Sequence, residues 1–260
     1  MLFSWISARR RRKLLADPFP SWWEGYLTRN VAHYALLSPP EQDRLRDITR
    51  ILIAEKRWQG CGGLFVTEEM KVTIAAQAAL LLLADERRYY RFVWEIVVFP
   101  TAFRTPVRAD GWEDDLLSEI PLAGRAVDRG PVLLAWDQVL PEGREPRSGV
   151  NVVIHEFAHQ LDFAEGLTIG TPPLGDRSLE ARWQPVLSER YQKHCNNVAR
   201  KRRDPLFTPH AADNEAEYFA NASEAFYCRP IQLKRMVPDV YELLAAYYRV
   251  DPIAWFSGRK

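Results

Sequence analysis

The sequence predicts an α+β fold that is mainly helical, with a small sheet formed by a few short strands between the helices. Apolar residues recur at helical spacing in several long segments, and short β-branched runs separate them. Hydrophobic residues make up 47% of the 260 residues, which excludes a largely disordered chain and suffices for one large core. We find no internal repeats and no low-complexity tracts.

The first residues form a basic segment that we expect to be a mobile arm, residues 1–17. Arg9 to Lys13 follow a short apolar stretch, which is the reverse of the order in a secretory signal. Residues 18–260 are predicted to form a single domain, which opens with an irregular aromatic segment at 18–23.

Helical periodicity and capping residues identify the helices in order along the chain. Ser38 and the prolines after it mark one helix start, and Thr67 marks another. The predicted helices cover residues 41–56, 67–86, 151–164, 179–198, 214–228 and 237–249. The predicted strands cover residues 64–66, 92–99 and 132–136, and the polar stretch 104–129 is expected to be a hairpin or a long loop.

Charge and cysteine content exclude several classes of protein. There are 35 Lys and Arg against 34 Asp and Glu, so no electrostatic binding of nucleic acid is indicated. The three cysteines form no CxxC pair and indicate reduced thiols, as in a cytosolic protein. No apolar run reaches the roughly 18 residues of a transmembrane helix. We therefore expect a cytoplasmic protein with no transmembrane segment and no direct contact with nucleic acid.

The sharpest chemical signal is the sequence His155-Glu156-Phe157-Ala158-His159. Histidines at i and i+4 lie on one helix face and can reach one tetrahedral zinc ion at about 2.0–2.1 Å. Glu156 projects beside the metal, where it can take a proton from a metal-bound water. Zinc lowers the pKa of that water towards ~7, which predicts hydrolytic chemistry.

A catalytic zinc needs a third protein ligand, and the segment 214–226 offers carboxylates for it. Glu217 and Glu224 lie on one stripe of this apolar helix, with Asn221 between them. A buried carboxylate needs a partner, such as a metal or the N–H of a neighbouring ligand. A salt-bridged helix is the alternative interpretation.

The two helical motifs together resemble the Mlc titration factor A family of zinc metallopeptidases, which is related to the catalytic domain of anthrax lethal factor. The resemblance covers most of the chain, including residues 62–64, 73–78, 130–132 and 170–174. It implies a zincin-like metallopeptidase domain whose small sheet lies beside the HExxH helix. It also implies one Zn²⁺ per chain, aminopeptidase-like cleavage of a peptide substrate, and binding of a glucose-responsive transcription repressor.

The resemblance assigns roles to residues of the two motifs. His155, His159 and Glu217 match the zinc ligands, and Glu156 matches the general base. Glu224 is then an alternative ligand. Asp162 is placed to accept the other N–H of a ligand histidine or to tie the two helices together, and Asn221 to do a similar job.

One position departs from the family pattern. The family commonly has a tyrosine seven residues before the glutamate ligand, and this chain has His210 there. Its imidazole could stabilise the oxyanion of the tetrahedral intermediate. The alternatives are a plain loop histidine and a fourth ligand that closes the site.

Two functions compete. The first is a zinc peptidase whose substrate adds to an edge strand, for which residues 132–136 are the candidate and an internal strand is the alternative. The second is a non-catalytic protein that binds a regulator and has a structural or vestigial zinc site. The basic runs 9–13 and 200–203 are candidate surfaces for that regulator.

Overall fold

A computed structural model describes residues 2–85, 89–103, 124–126, 130–163 and 169–257. Within these residues the fold is α+β and mainly helical, as predicted. The helices are α1 (Leu2–Ala16), α2 (Ser21–Asn30), α3 (Pro39–Glu55), α4 (Glu68–Leu80), α5 (Trp136–Arg144), α6 (Val152–Asp162), α7 (Arg177–Ala199), α8 (Glu215–Cys228), α9 (Pro230–Met236), α10 (Pro238–Tyr248) and α11 (Pro252–Ser257). Short 3-10 helices cover Ala32–Leu36 and Pro209–Ala212. The strands are β1 (Arg57–Gly60), β2 (Glu95–Phe99), β3 (Gly124–Ala126) and β4 (Val132–Ala135).

The predicted helices are confirmed with shifts of one or two residues at most ends, except that the helix predicted at 67–86 ends at Leu80. Ser38 and Glu41 form a capping box at the start of α3, and Thr67 accepts a hydrogen bond from the backbone N–H of Met70 in α4. The irregular segment predicted at 18–23 is wrong, because α2 begins at Ser21, directly after Pro20. Proline is well suited to the residues around a helix start, and Pro20 is therefore a start signal that stands among aromatic residues.

The basic segment at the N-terminus is a helix packed on α3, whereas the sequence indicated a mobile arm. Arg11 of α1 donates two hydrogen bonds to the carboxylate of Glu55, at 2.7 and 2.8 Å. Arg50 of α3 donates to the backbone carbonyls of Leu14 and Asp17. A run of arginines does not reveal in sequence which distant carboxylate it meets. The division of the chain at residue 17 stays a prediction.

The described strands form one mixed sheet in the order β1-β2-β4-β3. β1, β2 and β4 are parallel, and β3 is antiparallel to β4. The predicted strand 64–66 is wrong, because the first strand is β1, which follows α3 almost at once. Gly62 and Gly63 have positive φ angles and turn the chain out of the sheet before Leu64.

The predicted edge strand is also wrong. β4 lies between β2 and β3, and all four of its residues are buried. The edge on this side of the sheet is β3, which falls within the polar stretch 104–129. Residues 104–123 and 127–129 of that stretch lie outside the described residues.

Helix α6 lies in the core and is surrounded by other elements. α6 packs against α4 and α8, and β3 runs beside it. Phe157 of α6 is fully buried, with its ring 4.6 Å from that of Tyr90. Across the described part of the chain, no helix combines the length and the apolar character needed to cross a membrane.

The buried side chain of His33 makes the stability of the fold depend on pH. It is 1% exposed, and its Nε2 lies 3.1 Å from the backbone carbonyl of Tyr227. Burial lowers the pKa of His33 from 6.5 to about 4, because the charged ring loses its hydration. The unfolded chain therefore binds the proton more tightly. The stability contributed by the neutral ring is fully present above pH 6.5 and is lost as the pH falls to about 4.

We expect His33→Gln to reduce the acid sensitivity of the fold, since the amide keeps a donor for the Tyr227 carbonyl but takes up no proton. Between neutral pH and about pH 4, the wild type should lose up to about 3 kcal/mol more free energy of unfolding than the variant. Urea denaturation of both proteins at the two pH values measures this difference. Equal losses would contradict the buried neutral state of His33.

Candidate metal centre

Two histidines of α6 face the same point. Asn151 caps the helix by accepting a hydrogen bond from the backbone N–H of Ile154, at 2.9 Å. His155 and His159 then lie one turn apart, and their Nε2 atoms are separated by 3.2 Å. Both side chains are nearly enclosed, with 13% and 8% of their surface exposed.

Glu217 of α8 completes this cluster. Asn214 caps α8 by accepting from the backbone N–H of Glu217, which fixes the first turn of the helix. Glu217 Oε2 lies 3.0 Å from His155 Nε2, and Oε1 lies 3.2 Å from His159 Nε2. Donor atoms bound tetrahedrally to zinc at 2.0–2.1 Å lie about 3.3 Å apart. The spacing of the three groups therefore fits one small divalent ion, and the cluster could hold a metal.

The charged groups of the cluster stabilise positive charge in the space between them. Although burial disfavours the ionised carboxylate, hydrogen bonds to the three neighbouring histidines, His155, His159 and His210, hold the pKa of Glu217 well below its usual range. Burial likewise disfavours a charged His155, but hydrogen bonds to Glu217 and Glu224 raise its pKa well above the usual value. The space between these groups therefore favours positive charge. Two imidazole nitrogens and a carboxylate are also a donor set that zinc accepts.

Glu224 lies on the other side of His155. Its Oε1 is 2.8 Å from His155 Nδ1, and its Oε2 accepts from the backbone N–H of Asn151 at 2.6 Å. The sequence offered Glu224 as an alternative ligand. In the structure it faces the ring nitrogen that points away from Glu217 and His159.

Glu156 is buried next to β3. The backbone N–H of Ala126 donates to its carboxylate, while burial raises its pKa. A Cβ atom added to Gly124 would lie 2.7 Å from Glu156 Oε1 and 2.6 Å from Val152 Cγ2. Only glycine allows β3 to approach this closely. Sequence reasoning missed Gly124, because nothing within the polar stretch marks it.

His210 lies at the rim of the cluster. Its side chain is 58% exposed, and its Nε2 is 3.1 Å from Glu217 Oε2. Nδ1 is paired with Asp213, and the two carboxylates together raise the pKa of His210 to about 9, with the hydrogen bond to Glu217 as the largest cause. Asn221 supports this region: it donates to the backbone carbonyl of Glu217 and accepts from Thr208 Oγ1.

Asp162 makes no hydrogen bond to a ligand histidine in the described structure, although its charge interacts with His159. Its Oδ2 accepts from the backbone N–H of Gly170 at 2.8 Å, which ties the end of α6 to the loop before α7. Its Oδ1 and His159 Nδ1 are both buried and have no hydrogen-bond partner among the described residues. Of the two roles predicted for Asp162, the hydrogen bond to a ligand histidine is wrong, because the backbone of the loop before α7 donates to its carboxylate instead.

The groups line a cavity of about 370 Å³. The surrounding residues are Gly124, Arg125, Ala126, His155, Glu156, His159, Phe163, His210, Asn214, Ala216 and Glu217. The cavity thus joins the cluster to the edge strand β3 and to His210. It is large enough for part of a small organic substrate.

Fold and site together define a class of protein: a mainly helical α+β domain in which an HExxH helix and a glutamate from a second helix converge on a site that could hold a metal. The model of the glucose-regulated metallo-peptidase M90 family matches residues 5–249. The chain belongs to that family, which confirms the resemblance stated from the sequence. The family is one of metallopeptidases and implies a metal.

Relatives match along nearly the whole chain. An uncharacterized protein of Synechocystis sp. is 32% identical over 250 residues, which cover 94% of this chain and 89% of that protein. Mlc titration factor A of Yersinia pestis is 30% identical over 253 residues, covering 94% of this chain and 90% of that protein. The protein of the same name from Yersinia pseudotuberculosis matches equally well.

The geometry predicts the metal content of the protein. We expect the purified wild type to carry one divalent ion per chain and Glu217→Ala to lose it, because two imidazoles without the carboxylate hold such an ion weakly. Elemental analysis of both proteins, with Glu95→Gln as a buried control in β2, measures this. Metal retained by Glu217→Ala would contradict the ligand set and make His210 the candidate for the third ligand.

Proposed function

We propose that the protein is a zinc-dependent peptidase with aminopeptidase-like activity, in which His155, His159 and Glu217 hold the zinc ion and Glu156 is the general base. One observation carries the proposal. At the wall of a cavity, the Nε2 atoms of His155 and His159 lie 3.2 Å apart, each is 3.0–3.2 Å from one oxygen of the Glu217 carboxylate, and the buried carboxylate of Glu156 lines the same cavity. The family is one of metallo-peptidases, which supports the same chemistry.

Zinc is the proposed metal because two histidines and one glutamate form a common set of ligands in catalytic zinc sites. When bound, zinc lowers the pKa of a coordinated water and polarises the carbonyl to be attacked. Glu217 supplies the negative charge of the ligand set, and the neutral rings of His155 and His159 supply the remaining donor atoms.

Glu156 is suited to accept and return a proton. The backbone N–H of Ala126 orients its carboxylate, and burial raises its pKa, so that it is a stronger base than an exposed glutamate. It would take the proton of the attacking water and deliver it to the nitrogen of the departing amine. Gly124 leaves room for this carboxylate beside β3, since a Cβ atom there would lie 2.7 Å from Glu156 Oε1.

His210 is proposed as the group that stabilises the oxyanion. Its Nε2 faces Glu217 from the rim of the cavity, and Asp213 holds the opposite nitrogen. A protonated ring in this position would donate to a negative oxygen that develops next to the zinc ligands by turning its Nε2–H from Glu217 to that oxygen. The peptide substrate would lie along β3, the edge strand that lines the same cavity.

We expect Glu156→Gln to keep its zinc and to lose about 10²–10⁴-fold in peptidase turnover, since the amide cannot accept the proton. Turnover of short peptides and of aminoacyl arylamides measures the loss, alongside zinc content. Glu95→Gln, a buried glutamate of β2 outside the cavity, is the matched control and should behave like the wild type. Undiminished turnover in Glu156→Gln would overturn the mechanism.

A second candidate function is supported by the names of the relatives. Two of them are called Mlc titration factor A, a name that describes titration of Mlc. By that similarity this chain would bind a transcription repressor, which the sequence resemblance describes as glucose-responsive. The zinc site would then be structural or vestigial.

Binding of a repressor without catalysis makes a separate prediction. If this function holds alone, Glu156→Gln and the wild type should bind the purified Mlc-type repressor from the same genome with equal affinity, and neither should cleave it. Calorimetry with and without a zinc chelator, followed by mass spectrometry of the repressor, measures both. No binding by the wild type would exclude this candidate.

A further inference from the structure

The buried carboxylate of Glu224 takes no part in the proposed reaction, yet it is bound at both oxygen atoms. Its side chain is 7% exposed. Oε1 lies 2.8 Å from His155 Nδ1, and Oε2 lies 2.6 Å from the backbone nitrogen of Asn151. An ionised carboxylate in such a place has to receive hydrogen bonds from both partners, since leaving either unmade is costly.

The first contact sets the state of the imidazole. A carboxylate can only accept, so the proton between the two groups lies on His155 Nδ1. In the neutral ring the lone pair then lies on Nε2, the atom that faces Glu217 and His159. Glu224 thereby selects the tautomer that can bind a metal and fixes the plane of the ring.

The second contact links the ring to the beginning of its own helix. Asn151 is the N-cap residue of α6, and its side chain also donates to Gln77 of α4 at 2.7 Å. One carboxylate of α8 thus holds the start of α6 and the ring that projects one turn later. The same helix α8 supplies Glu217 to the other nitrogen of that ring.

The arrangement is specific to one of the two histidines. Within the described part of the chain, His159 Nδ1 is buried without a hydrogen-bond partner. Nothing there holds the second ring as Glu224 holds the first. His155 is therefore the preorganised half of the histidine pair.

We propose that Glu224 is a positioning residue for the metal centre, which holds His155 as the Nδ1-protonated tautomer and couples the ring to the start of α6. The inference rests on the metal site of the proposed function. It places Glu224 outside the set of ligands and outside the proton transfers.

A matched control lies at the same helix start. Glu142 of α5 accepts from the backbone N–H of Val152 at 2.6 Å, so it also stabilises the beginning of α6. In the described structure it makes no hydrogen bond or ion pair with a histidine and interacts with His155 and Glu224 only through their charges. Glu142→Gln therefore removes a comparable carboxylate at the helix terminus without touching a ring.

The test is the zinc affinity of the full-length chain, measured by competition with a chelator of known affinity. A glutamine at position 224 has one acceptor oxygen for the two N–H groups that now share the carboxylate. We expect Glu224→Gln to weaken zinc binding about 10–100-fold, as is typical when such a partner is removed. Glu142→Gln should bind zinc as the wild type does, although both variants lower the melting temperature of the metal-free chain.

A second readout separates positioning from a loss of stability. Nitrogen-15 NMR of the histidine rings should show His155 with Nδ1 protonated in the zinc-loaded wild type and a changed Nδ1 signal in Glu224→Gln. If that variant does not fold, Glu224→Asp serves instead, since it keeps the charge and withdraws it by one methylene. It should also bind zinc more weakly.

Wild-type zinc affinity in Glu224→Gln, or in Glu224→Asp where that variant is used, would overturn the proposal and leave Glu224 a purely structural residue. An equal loss of affinity in Glu142→Gln would overturn it as well, because the effect would then belong to the helix start. A wild type that binds zinc but cleaves no peptide would overturn the peptidase function and leave this inference standing. A wild type that binds no zinc would overturn both.

Discussion

Burial of two carboxylates on one stripe of α8 is the constraint on which the rest of the site depends. Glu217 and Glu224 are two turns apart and face α6, and each is stabilised there by imidazole nitrogen. Charged groups in such surroundings destabilise a fold unless they are fully hydrogen-bonded or bound to a cation. The register of α6 against α8 therefore has little freedom, because sliding either helix by one residue would separate His155 from both carboxylates.

The same constraint explains why the helix ends are so well defined. Asn151 and Asn214 cap α6 and α8 within four residues of the first charged group in each helix. Capping reduces fraying of the first turn, so the backbone that carries the following side chains moves little. The sheet adds the third side of the site. β3 approaches α6 at Gly124, and the N–H of Ala126 reaches Glu156, a contact that a strand with larger side chains could not make.

Local signals in the sequence were enough to predict the spacing of the cluster and six of the eleven described helices, namely α3, α4, α6, α7, α8 and α10. The i, i+4 histidines and the acidic stripe of α8 depend on helical geometry alone, and the capping residues mark where that geometry begins. The edge strand could not be predicted in this way. Strand order depends on pairing between distant segments, and β3 lies in a polar stretch without β periodicity. The contact between Arg11 and Glu55 escaped prediction for the same reason, since 44 residues separate the partners.

Glu217 and Glu224 contact opposite nitrogen atoms of the His155 ring, and the two sides of the ring have different surroundings. On the Nε2 side, Glu217 and His159 converge on a position for positive charge, and Glu156 stands next to it with a raised pKa. On the Nδ1 side, Glu224 makes no contact with the cavity and can only hold the ring. In the proposed function, metal retention and proton transfer thus depend on different carboxylates. A chain that only retained a metal would have no use for a second buried carboxylate beside the ion, because removing a charged group from water costs stability. The burial of Glu156 next to the cluster therefore favours a catalytic role for the centre over a purely structural one.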